Sequence, residues 1–251
     1  MTDPNAPSQR RTEAEPDAGP RPDRRPDSAQ RDRSPADRPA PVPAAADDAD
    51  ELYAKARELT TTGEIRAAIA QYRTVLSATP AHVKARNNLA LLLERQGQWE
   101  AALAEFDAAI ALEPDNVSLL CNRAALLGQR QRYDDAAADL RRALRLDDRN
   151  VEALVNLGIL HCRRGRWREG VEPLRRACEL EPNSATAYYY LGESLNQTDQ
   201  LEAALSAYQS AVRLQPGYVQ AYRGLGAVLD RLRRPQEAAA AYRRASEAQR
   251  R

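Results

Sequence analysis

Asn88, Asn122 and Asn156 recur every 34 residues and are the side chains best suited to recognise something. A carboxamide carries a donor group and an acceptor, the complement of one peptide unit. Asparagine also competes with the helix backbone for hydrogen bonds, so three at one register are either a choice that simply recurs with the repeat or a means of gripping the main chain of an extended peptide. Reactive chemistry has less to build on. The only histidines are His82 and His161, and Cys162 directly follows the second. Adjacent helical residues point to different sides, so this pair does not chelate one metal. Cys121, Cys162 and Cys178 show no paired spacing, so no disulfide framework is expected and a reducing compartment fits. There is no glycine-rich phosphate loop, nucleophile elbow or histidine-based acid–base pair. The expectation is a binding protein rather than an enzyme, with no catalytic residue, no metal and no cofactor.

The charge balance narrows the partner. The 251 residues include 37 basic and 36 acidic side chains, so no strong field draws the chain to nucleic acid or to an anionic membrane. No run approaches the roughly 20 apolar residues that span a bilayer. A cytoplasmic protein is expected. The only lysines are Lys55 and Lys84, and with abundant Ala and Pro this arginine bias suggests a GC-rich bacterial genome. The doublets Arg141-Arg142, Arg175-Arg176 and Arg243-Arg244 read as solvated outer faces.

The asparagines sit in a repeat. Pro80, Pro114, Pro182 and Pro216 fall on a 34-residue comb, with Asp148 in the remaining place. Six units follow: 49–82, 83–116, 117–150, 151–184, 185–218 and 219–251. Position 8 is small in every unit (Ala56, Ala90, Ala124, Gly158, Gly192, Gly226), and so is position 20 (Ala68, Ala102, Ala136, Gly170, Ala204, Ala238). Small residues at fixed places in two helices let their backbones approach. Position 24 is large: Tyr72, Phe106, Leu140, Leu174, Tyr208 and Tyr242. Glycine at position 15 (Gly63, Gly97, Gly165) ends the first helix and the proline ends the second. Lys55 and Arg123, at the usually apolar position 7, predict looser packing in the first and third units. Leu229, Leu232 and the Ala238–Ala241 run predict a partly uncovered final edge. The head, residues 1–48, holds 10 of the 16 prolines and almost nothing large and apolar, so it is expected to be a disordered tail.

This pattern resembles the tetratricopeptide repeat. The resemblance implies an all-α, right-handed solenoid of twelve helices, two per unit. It also implies that positions 2, 5, 6, 9, 12 and 13 of each first helix line a concave groove. Asn88, Asn122 and Asn156 at position 6, with Asn87, Tyr189, Tyr190 and Arg223, then become the candidate peptide-binding residues. The row looks like the asparagine ladder in the repeat superhelix of O-linked N-acetylglucosamine transferases. The lysine–asparagine clamp of chaperone-binding members is absent, because position 5 carries Tyr53, Asn87 and Cys121 and position 9 Arg57, Leu91 and Ala125. The expected function is a scaffold or adaptor for a protein or extended peptide, with neither nucleic acid nor membrane as partner. Two alternatives are a regulatory module acting in trans with an enzyme such as a glycosyltransferase, and a self-assembling structural protein joined through its C-terminal repeat as a homo-oligomer.

Overall fold

Each unit folds as two helices joined by a tight turn. A computed structural model describes residues 46–250; the proline-rich head, apart from its last three residues, lies outside them. Helix α1 begins at Ala46, three residues before the boundary expected from the repeat. The order is α1(Ala46–Thr61), α2(Ile65–Ala78), α3(Val83–Arg95), α4(Trp99–Leu112), α5(Val117–Gln129), α6(Tyr133–Leu146), α7(Val151–Arg163), α8(Trp167–Leu180), α9(Ala185–Gln197), α10(Leu201–Leu214), α11(Val219–Arg231) and α12(Pro235–Gln249). Position 15 takes a left-handed conformation in every unit. Gly63, Gly97 and Gly165 reach φ of 83°, 74° and 69° at no steric cost. Gln131, Asp199 and Arg233 sit at 61°, 61° and 59° although each has a Cβ, so the turn is imposed there by packing.

The starts of α3, α5, α7 and α9 are capped by side chains at position 34, whereas Tyr218 before α11 makes no such bond. Asn116 and Asn150 Oδ1 accept from the backbone N–H three residues on, at 3.2 and 3.0 Å, and Ser184 Oγ does so at 3.3 Å. His82 Nδ1 accepts from Ala85 N at 3.1 Å, so one of the two histidines is a helix cap.

The units stack into a right-handed all-α solenoid in which each helix packs on its chain neighbours. Odd-numbered helices also touch the next odd-numbered helix: α3 to α5, α5 to α7, α7 to α9 and α9 to α11. That row forms the concave wall. The small columns let the paired helices close. Ala56, Ala90, Ala68 and Ala102 are fully buried, and a Cβ added at Gly158 would stand 2.3 Å from Leu174 Cγ. The large column fills the space between units, with Tyr72, Phe106, Leu174 and Tyr208 fully buried. The final edge is partly uncovered: Leu229, Ala238 and Ala241 are buried and Leu232 is half-buried, while Ala239, Ala240 and Tyr242 are exposed.

The third unit is not loosened by its position-7 charge. Arg123 grips Asp139 with two hydrogen bonds, Nε to Oδ2 at 2.8 Å and Nη2 to Oδ1 at 2.7 Å, and reaches Asp107 of the preceding unit at 2.6 Å. Asp139 is buried, so its charge is matched where an apolar contact would otherwise stand. Lys55, by contrast, is simply exposed.

Two stability predictions follow from this packing. Gly158→Ala forces a methyl into the fully buried Leu174 and should cost about 1–3 kcal/mol, the usual range for overpacking. Gly226→Ala meets Tyr242 Cε1 at 2.5 Å, but that ring is 38% exposed and can swing outward, so the loss should be smaller. Urea midpoints of the two variants decide it, and equal losses would refute the account. Arg123→Ala strands the Asp139 carboxylate and should cost about 3 kcal/mol, whereas Arg123→Met with Asp139→Leu should recover most of that loss. A double variant no more stable than the single would refute it.

Candidate functional site

The concave wall is held together by side chains one unit plus one residue apart. Position 6 of one unit meets position 5 of the unit before it. Asn88 Nδ2 donates to the Tyr53 hydroxyl at 3.1 Å and Asn122 Nδ2 donates to Asn87 Oδ1 at 2.9 Å. Asn87 Nδ2 donates in turn to Asn88 Oδ1 at 3.3 Å, and Asn88 Nδ2 also reaches the Tyr72 hydroxyl at 3.2 Å. The result is a relay running Asn122, Asn87, Asn88, then Tyr53 and Tyr72. Positions 13 and 12 repeat the arrangement on the far side: Gln129 Nε2 donates to Glu94 Oε1 at 2.7 Å, and Arg231 Nη1 to Asn196 Oδ1 at 2.6 Å.

The asparagine row is therefore uneven. Asn88 and Asn122 spend donors on neighbouring units. Asn156 has no hydrogen-bond partner among the described residues and borders a cavity of about 210 Å³ with Ala125, Ile159 and Arg163. A larger cavity of about 670 Å³ lies between the first three units, bordered by Arg57, Asn88, Leu91, Arg95 and Trp99. Gln129 borders both cavities, which are successive stretches of one groove. Arg130 lies 5.3 Å from the Trp99 ring centroid, a cation–π distance at the rim.

Further along, Tyr189 is the hub of an aromatic cluster. Its ring centroid lies 4.9 Å from Tyr190, 5.0 Å from Tyr218 and 6.1 Å from Tyr208. The Tyr208 hydroxyl donates to Glu193 Oε1 at 2.6 Å, and Gly224 lies on the same ring, where a Cβ would stand 2.5 Å from Cε1. Position 6 of the last unit thus cannot carry an asparagine: the tyrosine takes its place. Burial raises the titration of Tyr189, Tyr208 and Tyr218 above the ordinary phenol range, so all three stay neutral near pH 7. Arg223, expected beside Tyr189 and Tyr190, instead donates to Gln249 at the end of α12 at 2.8 Å.

The remaining reactive groups are built into the packing. Cys162 Sγ lies 3.1 Å from the buried Ser194 hydroxyl. Burial pushes the Cys121 and Cys178 thiols up to about 12, far from the thiolate form a nucleophile needs. His161 is buried; its Nδ1 lies 3.2 Å from Glu169 Oε2 without hydrogen-bonding alignment, and burial lowers its titration despite that carboxylate. No cluster of three metal-ligating side chains occurs among the described residues. The position-26 arginines bind units together: Arg142 reaches Asp115 at 3.1 Å, and Arg176 Nη2 reaches the Asp148 carbonyl at 2.9 Å. No described helix is long and apolar enough to cross a membrane.

Tyr53, Tyr72, Arg57, Arg95, Trp99, Gln129 and Glu193 were not picked out as site residues from sequence. A 34-residue register aligns equivalent positions, but the contacts of Tyr53 and Gln129 join positions 35 residues apart, an offset that such an alignment hides.

A family model described as Tetratricopeptide repeat matches residues 53–117, 121–185, 160–219 and 197–250. No curated protein sequence matches the chain. Among solved structures, MamA (residues 41 to the end) from Desulfovibrio magneticus RS-1 is 24% identical, with a TM-score of 0.61 over 67% of this chain and 95% of that one. YrrB, described as a TPR protein with an unusual peptide-binding site, is 22% identical, with a TM-score of 0.58 over 71% of this chain and 92% of that one. PilF of Pseudomonas aeruginosa is 18% identical with a TM-score of 0.70, over 78% of this chain and 89% of that one. At these identities the likeness shows the fold.

The relay makes the asparagines of the row unequal in their effect on stability. Asn88→Ala removes bonds to two tyrosine hydroxyls and should lower stability by about 0.5–1.5 kcal/mol. Asn156→Ala removes none and should be neutral or slightly stabilising, alanine being the better helix former. Melting both variants tests this; a reversed order would mean the relay does not exist in solution.

Proposed function

The chain belongs to the tetratricopeptide repeat family, and from that membership we propose that it is a non-enzymatic scaffold or adaptor that holds an extended segment of a partner protein in its concave groove. The observation that carries this reading is Asn156: a carboxamide bordering a cavity on the concave wall, with its donors and acceptor uncommitted among the described residues. In the fifth unit, two units past the groove's first cavity, the tyrosine cluster adds the residue type most enriched at binding hot spots. Asn87, Asn88 and Asn122 then act mainly as the frame that sets the wall's spacing, with one amide hydrogen of Asn87 and of Asn122 left for ligand. The solved YrrB structure, of the same fold, is described as having a peptide-binding site. The three free, buried cysteines fit a reducing compartment, for which the cytoplasm is the reading adopted.

The test is to pan a random dodecapeptide library against the full chain. Recovered peptides should bind Asn156→Ala about two- to tenfold more weakly, the loss of one neutral hydrogen-bonding side chain. Asn156→Ala with Tyr190→Ala should lose more, with the helical signal intact. Failure to enrich any peptide, or unchanged affinity in the folded double variant, would sink the reading.

A further inference from the structure

Resting on that peptide-binding reading, we propose that the groove of the first four units is selective for segments rich in Asp and Glu side chains. Three guanidiniums border its two cavities: Arg57 on α1 and Arg95 on α3 at the larger one, and Arg163 on α7 at the smaller. All three are exposed, and none has a carboxylate within ion-pair distance among the described residues. Among the described residues, the only acidic one bordering either cavity is Glu94, which accepts a hydrogen bond from Gln129. Three cations against one anion leave this stretch positive, on a chain whose formal net charge is only +1. Arg130, stacked over Trp99, adds a fourth guanidinium at the rim.

Toward the other end both signs are present: Glu193 accepts from Tyr208 and Asp230 from the Tyr242 hydroxyl at 2.8 Å, while Arg223 and Arg231 stand on α11. The unpaired positive stretch therefore belongs to units one to four.

The arrangement favours a run of side-chain carboxylates over a single terminal one. The arginines lie on three different units, first, second and fourth, rather than converging on a point. With neighbouring helices roughly 10 Å apart, the row covers roughly 30 Å. An extended chain at about 3.3 Å per residue crosses that in roughly nine residues. Leu91, Leu92 and Trp99 supply an apolar floor beside the guanidiniums, which suits the methylene stems of glutamate and strengthens each ion pair by excluding water. A phosphodiester backbone has no use for that floor and would meet Glu94 in its midst.

The dodecapeptide selection tests the idea, followed by amidated synthetic copies of the recovered peptides, which remove the terminal carboxylate. Asp and Glu should be enriched over the starting library. Affinity should fall at least about tenfold in Arg57→Gln/Arg95→Gln/Arg163→Gln, and in about 0.5 M salt, where charges are screened within a few ångströms. Glutamine keeps length and polarity on three exposed sites, and a melt confirms folding. Peptides recovered without acidic enrichment, or binding the triple variant unchanged, overturn the charge selectivity while leaving the peptide-binding reading intact. No recovered peptide overturns both. Oligo-dT binding lost in the triple variant, without acidic enrichment, would assign the cations to nucleic acid instead. A doubled mass in light scattering that the triple variant abolishes would assign the groove to a second copy of the chain.

Discussion

A helical hairpin of thirteen- and fourteen-residue helices cannot cover its own apolar face, and the other features of this protein follow from that shortage. The missing surface comes from the next unit, so the core is a ribbon rather than a ball. Its thickest points are the position-24 side chains, Tyr72, Phe106, Leu140, Leu174 and Tyr208, each sealed between its own unit and the next. The small residues at positions 8 and 20 are the counterpart of these large ones. Gly158 is closed against Leu174 and Gly192 against Tyr208 so tightly that a methyl would overlap. Gly170 is limited on two sides, by the Ser194 hydroxyl and the Gly158 carbonyl.

Stacking in this way also produces the groove. Because consecutive odd-numbered helices lie side by side, polar residues on their inner surface become neighbours along the solenoid. Some of that polarity is then consumed by the solenoid itself. The relay through Asn122, Asn87 and Asn88 ends on two tyrosine hydroxyls, and the Gln129–Glu94 bond runs beside it. A buried or half-buried polar group without a partner is costly, so the wall satisfies itself first, and what remains open marks where a ligand can add something. Asn156, Arg57, Arg95 and Arg163 are what remains. A similar economy operates on the other helices, where Arg142 and Arg176 tie one unit to its predecessor.

The repeat fold was largely legible in the residues. Proline or aspartate at position 32 and glycine at position 15 mark chain reversals through local backbone chemistry, and six-fold recurrence made the pattern hard to mistake. The turns at Gln131, Asp199 and Arg233 were not legible, since nothing in those side chains asks for positive φ. Nor was the cap role of His82, a residue type more often read as a ligand or a catalyst than as a helix cap.

The sequence alone settled periodicity, helix count and the face each helix buries, because these depend on interactions within about four residues or on a strict repeat. Which groove side chains are free was decided only by the tertiary structure. Asn88, Asn122 and Asn156 are the same residue at the same register, yet the first two are engaged and the third is open. The difference lies in the partner 35 residues earlier: Tyr53 and Asn87 offer hydrogen-bonding oxygens, whereas Cys121 offers a thiol that pairs instead with Asn150 at 3.9 Å. Arg223 and Arg123 teach the same point in opposite directions. One, expected near the tyrosines, hydrogen-bonds Gln249, and the other finds a buried aspartate on α6 that matches its charge within its own unit, and Asp107 in the unit before. Local chemistry chooses the elements, but the pairing of side chains across them depends on the offset with which the units stack.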